Sequence, residues 1–441
     1  MTLNQPQIKA DKVAQKAELN LPRRKANFWL AIITLIYILD QADRYIVSAV
    51  LPGIKKEFLL TDASLGLIGS FMFLSMFILV VPCSILVDKW SRKYVITIMV
   101  TVWSACTWFT GLAKNYTQLL LARLGVGAGE AGYNPASYAL IGAWFPQNQR
   151  GSKVGLFTMG QTLGVVLGYG VAGMIAHYWG WRHVFGVFAI PGFILAILTL
   201  FAPDYKTKKI EGGINKEEKA RIREIFAYIL STRTLWLVFL AQFPAWLWVI
   251  GLNIWAPSFL GRTWNLNMAQ AGQLIMLSAM FFWPGPWFGG WLSDKLVVGN
   301  PKGRITAALI CLAIPMLFYS LSLWGGYYKI NLIVVVVSLT LAQFFFSGHY
   351  SSLITAALDL VPIPFRGSCQ GLIVIFSTVG AFISGPFVGA LSGKVGLPLA
   401  LWIAMIVCLG MAMIILLMSY KTYNRDFEKK DTVGKFELEV V

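Results

Sequence analysis

Twelve apolar stretches, each close to the roughly 20 residues that a helix needs to cross a bilayer, run through this chain between short charged interruptions. They fall near residues 27–52, 62–87, 94–113, 116–144, 152–178, 183–202, 234–260, 268–293, 304–325, 330–359, 367–392 and 397–419. A water-soluble core has no place for so many runs of that length. Composition agrees: 57% of the 441 residues are hydrophobic and 13% charged, with a mean hydropathy of +0.65, against roughly 45–50% and 25% in ordinary soluble domains. The sequence predicts an all-α polytopic membrane protein.

A formal charge of +17 would raise the question of nucleic acid in a soluble protein, but in a membrane chain the position of the cations carries the information. With both ends on one side, 28 of the Lys and Arg residues fall on that side and 7 on the other, leaving Arg44 and Arg123 inside apolar spans. By the positive-inside rule both termini are expected in the cytoplasm, and no nucleic-acid partner is needed to explain the charge. Residues 1–26 form a polar, basic tail without the apolar region of a signal peptide, and 420–441 form a second tail. The expected location is the inner or plasma membrane of the cell. Cys83, Cys106, Cys311, Cys369 and Cys408 lie in or beside apolar runs with no paired spacing, so they read as small buried side chains rather than a disulfide frame or a metal site. No metal and no cofactor are expected.

The longest polar interruption, 203–233, falls between the sixth and seventh spans and divides the chain into six-helix bundles at 27–202 and 234–419. Within it, Ala220, Ile222, Ile225, Phe226 and Ile229 line up against a basic face, which predicts an interfacial helix on the anionic leaflet. The halves also repeat each other. FPQNQRGSKVGLFTMGQTLG (145–164) aligns with VPIPFRGSCQGLIVIFSTVG (361–380) at an offset of 216: Pro146, Arg150, Gly151, Ser152, Gly155 and Gly164 recur as Pro362, Arg366, Gly367, Ser368, Gly371 and Gly380, and Gly132 recurs as Gly348. Internal repeats of this kind are common in transporters. After the second span of each half an Asp, Asp88 or Asp294, is followed by cations that include Arg92 and Arg304. Positive-inside anchoring accounts for the cations but not for a repeated Asp. Asp88, Arg92, Arg150, Asp294, Arg304 and Arg366 are therefore expected to form a cytoplasmic gate whose ion pairs break when that face opens.

Twelve spans in two halves, a central loop and this signature after spans 2 and 8 resemble the major facilitator superfamily over nearly the whole length. Ser84 and Ser91 depart from that pattern, which usually has Gly at both places. DRYIVSAVLPGI (43–54), RLGVGAGEAGYNPASYALIGAWFP (123–146) and GWRHVFGVFAIPG (180–192) resemble its Spinster-like and anion:cation symporter branches without choosing between them. The resemblance implies a fold of two pseudo-symmetric six-helix bundles. It also implies proton-coupling or charge-sensing roles for Asp43, Arg44 and Glu130, which match the Asp-Arg pair of helix 1 and the Glu of the helix 4 GEA motif. The superfamily's antiporter signature has a Pro after a Gly in helix 5; GQTLGVVLGYGVAG (160–173) lacks it, which disfavours drug/proton antiport. The small residues there suit close helix packing.

Charges in the bilayer core are costly and point to function. Asp40, Asp43 and Arg44 share one face of helix 1 by their i, i+3, i+4 spacing, as do Arg123 and Glu130 in helix 4. Counted at about 1.5 Å per residue, the two sets lie roughly 10–21 Å deep and can meet. Three acids and two bases would form a network able to exchange partners. Asp43 and Glu130 are expected to carry the proton, and Arg44, Arg123 and Asp40 to sense substrate or charge. A permanently neutral lock between the two helices is the alternative.

The second half has no such charges. Phe346 stands where the repeat would place Glu130, and Asn253, Trp255, Gln343, His349 and Tyr350 are candidates to line a cavity for a solute with an apolar body. His177 and His183 read as surface residues near the outer ends of their spans. No Walker motif, no metal-ligand spacing and no Ser-His-Asp arrangement is present, so neither ATP-driven pumping nor enzymatic chemistry is expected. The leading expectation is a secondary transporter, monomeric, acting on a small solute and protons within the lipid bilayer by alternating access, with proton symport of an organic anion such as a sugar acid. Movement of a lipid-like or amphiphilic solute is the alternative, and a non-transporting membrane sensor the other.

Overall fold

The computed structural model describes residues 21–204, 227–282, 284–361 and 366–433. Among them there are helices and no strands. In chain order the crossings are α1 (Arg23–Phe58), α2 (Asp62–Ser70 continued by Met72–Lys89), α3 (Arg92–Leu112) and α4 (Tyr116–Glu130 continued by Tyr133–Trp144). Then come α5 (Gln147–Val166, a π-turn at Leu167–Val171, and Ala172–Trp179) and α6 (Trp181–Thr199). The second half holds α7 (Arg233–Trp264), α8 (Met268–Met280 continued by Gly285–Val297), α9 (Gly303–Tyr327), α10 (Leu332–Asp359), α11 (Arg366–Val395) and α12 (Leu397–Val433). Most of the expected interfacial helix, and Pro362 of the repeat, lie outside the described residues.

Nine crossings among the described residues are long and apolar enough to span a membrane by length and composition. The remaining three, α1, α4 and α8, are the ones that carry Asp40, Asp43 and Arg44, stop after Glu130, or break between Met280 and Gly285. The crossings that miss this criterion thus coincide with buried charge in α1 and with helix breaks in α4 and α8. Ser91, one of the departures from the family pattern, has a local role: its side chain caps α3 by accepting from the Tyr94 amide, and its hydroxyl donates to Asp204 at 2.5 Å.

Twelve crossings place the start of α1 at Arg23 and the end of α12 at Val433 on one face, the terminal face; the α1–α2 and α7–α8 turns lie on the opposite, distal face. In the first half α1 packs on α5 and α3 on α6; in the second, α7 packs on α11 and α12, and α9 on α10. The halves meet through α2 with α11, α5 with α8, and α1 with α7. Buried apolar side chains form one continuous core from the distal part of α1, including Ile46, Val50 and Ile54, into the whole second half. A separate core around Ile33, Trp103, Tyr133 and Phe157 stays inside the first half. The halves are therefore fused toward the distal face and parted toward the terminal face.

Glycine makes the distal fusion possible. A Cβ on Gly66 of α2 would lie 2.0 Å from the Gly385 carbonyl oxygen of α11, and one on Gly272 of α8 would lie 2.3 Å from the Tyr169 carbonyl oxygen of α5. Only a residue without a side chain allows backbones this close.

Candidate functional site

α1 and α4 cross with their charged faces together, and all five intramembrane charges meet. They divide into two sets. Deeper in the protein, Arg123 Nη1 donates to Asp43 Oδ2 at 2.8 Å, Thr107 donates to Asp43 Oδ1 at 2.8 Å, and Arg123 Nη2 reaches the Asp43 carbonyl oxygen at 3.5 Å. Both side chains are sealed from solvent. Nearer the space between the halves, Arg44 serves two acids: Nη2 donates to Asp40 Oδ2 at 3.1 Å, and Nε lies 3.1 Å from Glu130 Oε2.

The acids are not equally held. Asp43 accepts from two side chains. Asp40 has one aligned donor, and its Oδ1 has no hydrogen-bond partner. The Arg44–Glu130 contact is an ion pair without hydrogen-bond alignment, and neither carboxylate oxygen of buried Glu130 accepts a hydrogen bond. Glu130 is also the last residue before α4 breaks, beside Ala131 and Gly132. Three carboxyls and two guanidiniums balance in charge only when one carboxyl carries a proton.

Arg44 is the one charged residue among the described residues lining a cavity of about 770 Å³ between the halves. Asp40, Asp43, Arg123 and Glu130 stand behind it, not on the wall. Asn253, Gln343, His349 and Tyr350 line the cavity as the sequence suggested. Trp255 does not, which corrects that expectation. It lies two residues beyond Asn253, about 200° around α7, faces α11, and donates Nε1 to the Gly385 carbonyl at 3.1 Å. Sequence reasoning missed Gln41, Ser48, Thr158, Gln161 and Thr162, which line the first-half wall. For the α5 residues the signal was present, since Thr158, Gln161, Thr162 and Tyr169 recur on one helical face amid the glycines; Gln41 and Ser48 of α1 had none.

The described contacts of the expected gate residues are local. Arg304 of α9 pairs with Asp294 of α8 at 2.8 Å, reaches Ser293 at 3.2 Å, and pairs with Asp359 at the end of α10. Arg92 is buried and donates to the Trp90 carbonyl at 3.3 Å, Arg150 donates to the Phe145 carbonyl at 2.9 Å, and Arg366 is exposed. The Asp88 side chain lies outside the described residues. Each of these described contacts stays inside its own half.

Among the described residues, a charged clasp between the halves lies on the distal face. Asp62, at the start of α2, accepts from Arg262 of α7 at 2.6 and 2.9 Å, from Ser392 of α11 at 2.8 Å, and from Lys55 of α1 at 2.6 Å. Two parallel bonds to one guanidinium make a geometrically specific pair. Nearby, Arg182 and Trp181 bind Glu57 at 2.5 and 2.7 Å.

Residues 33–339 match the Major Facilitator Superfamily. The chain belongs to that family. It is 26% identical over 292 residues to a probable L-galactonate transporter of Escherichia coli K12, covering 62% of this chain and 63% of that one. It is 24% identical over 394 residues to the probable galactarate/D-glucarate transporter GarP of the same organism, covering 82% and 87%. Among solved structures, a bacterial homologue of the human lysosomal transporter Spinster, inward-facing and unoccupied, superposes with a TM-score of 0.83 at 22% identity, over 92% of this chain and 99% of that one. The superfamily resemblance read from the sequence, the all-helical fold of two six-helix bundles and the transporter class, not an enzyme, all stand.

Proposed function

We propose that this chain is a proton-coupled symporter of organic anions that works by alternating access across the cell membrane as a monomer. The terminal face is taken as cytoplasmic on the strength of its Lys and Arg excess, which makes the described conformation open to the cytoplasm. The observation that carries the coupling is the contrast among the acids: Glu130 shares Arg44 with Asp40 at the cavity edge and has no aligned donor of its own, whereas Asp43 is held by Arg123 and Thr107. A proton on Glu130 releases half of the claim on Arg44. The guanidinium is then free to take a substrate carboxylate in its planar fork. When the substrate leaves, Arg44 returns to Glu130, and the proton departs. Asp43 balances the second guanidinium through its pair with Arg123, and Asp40 keeps Arg44 on the cavity side throughout.

The sugar-acid transporters among the relatives support an anionic, carboxylate-bearing substrate. Proteoliposomes test the coupling. In Glu130→Gln, accumulation driven by an imposed pH gradient is expected to vanish while exchange of external for internal substrate continues. Gradient-driven accumulation at the normal rate in that variant would remove Glu130 from the proton path. Transport of an amphiphilic solute is the second reading, favoured by the aromatic second-half wall of the cavity.

A further inference from the structure

The two walls of the cavity differ in chemistry. The first half supplies Arg44 and the hydroxyls and amides of Ser48, Thr158, Gln161 and Thr162, while the second half is mainly apolar and aromatic, with Trp246, Ile250, Phe282, Trp287 and Phe346 beside the two amides of Asn253 and Gln343. Beyond those two amides, part of the polar capacity on the second wall is already used. The Ser347 hydroxyl donates within the protein, to the Phe282 and Phe344 carbonyls at 2.8 and 2.9 Å. His349 Nδ1 sits 2.5 Å from the Phe346 carbonyl oxygen, so this nitrogen carries the ring proton and Nε2 is an acceptor, one without a partner. Trp246 Nε1 is likewise without a partner, and its ring meets Tyr350 edge to face at 5.8 Å. A sugar acid with a hydroxyl on every carbon would leave several of them unmatched against this wall, and each unmatched polar group works against binding. An apolar body would match it, since the unpartnered His349 Nε2 and Trp246 Nε1 are buried and offer little to a polar substituent.

We propose that the cavity selects organic anions with one carboxylate and an apolar, ring-sized body, in preference to the polyhydroxylated sugar acids named for its relatives. The carboxylate sits on Arg44 and the body lies against Trp246, Tyr350 and Phe346. This inference rests on the proposed symport of organic anions.

The test compares 3-phenylpropionate with D-galactonate on the purified full-length protein. Titration calorimetry at mildly acidic pH is expected to show 3-phenylpropionate binding at least tenfold more tightly, and Trp246→Ala to cut that preference by tenfold or more. Tyr350→Leu provides an independent check on the same wall should the first variant fail to fold. In proteoliposomes under a pH gradient, with protein-free vesicles as the baseline for passive entry of the aryl acid, saturable accumulation of 3-phenylpropionate is expected. Equal or tighter binding of D-galactonate, or a preference unmoved by both wall variants, overturns the selectivity and leaves anion symport intact. Protein-dependent accumulation of neither anion overturns both.

Discussion

α4 and its repeat partner α10 occupy equivalent places in the two halves, and the same slots are filled by opposite chemistry. Where α4 carries Arg123 and Glu130, the 216-residue offset puts Leu339 and Phe346, all four of them buried. Glycine supports the packing in both: Gly127 of α4 lies against α2, where a Cβ would come within 2.1 Å of the Met72 carbonyl oxygen, and Gly348 of α10 lies against Gly285 and Gly289 of α8. The second half shows that this architecture packs without intramembrane charge. Buried ion pairs are in any case often no more stabilising than hydrocarbon of the same volume. The charges of α1 and α4 therefore need a reason other than stability, and the arrangement around Arg44 supplies one.

If the comparison holds, breaking one member of a pair hurts far more than removing the pair. Arg123→Leu, which copies the residue of α10, leaves Asp43 as an unpaired buried charge and is expected to cost about 3–5 kcal/mol. Adding Asp43→Asn should restore most of the melting temperature in detergent. A double variant no more stable than the single one would mean that the two halves do not share this packing logic.

Next in size is Arg44. Arg44→Gln is expected to lower anion transport about 100-fold, and Arg44→Lys about tenfold, since lysine keeps the charge and loses the planar fork. Equal activity for Lys and Arg would argue for a general electrostatic role. The smallest effect belongs to the distal clasp, where the halves do touch through charge. Asp62→Asn keeps the Ser392 contact and weakens the Arg262 pair, and is expected to shift the balance toward the distally open state by about 1 kcal/mol. A several-fold rise in the labelling of a cysteine placed in the distal part of the cavity, by an impermeant reagent applied from that side, would register it.

Much of this was legible in the sequence because periodicity and charge are local signals. Span positions, the repeat, and the shared face of Asp40, Asp43 and Arg44 follow from spacing alone. Which carboxylate meets which guanidinium does not. Asp43 and Arg44 are neighbours in sequence, yet Asp43 turns to Arg123 and Arg44 to Glu130, because adjacent positions on a helix point about 100° apart. Trp255 was misplaced for a related reason: composition marks an aromatic helix, and only packing shows which of its faces meets α11. The Asp62–Arg262 clasp joins residues 200 apart at the ends of two helices, where no motif announces a partner.

The central claim is that a proton travels with the anion by way of Glu130. Its most direct test is to record external pH and labelled-anion uptake together in weakly buffered proteoliposomes after substrate is added without an imposed gradient. The account predicts alkalinisation in step with uptake by the wild type, and anion exchange with no alkalinisation in Glu130→Gln. Proton movement in that variant equal to the wild type, at the same anion flux, would contradict it.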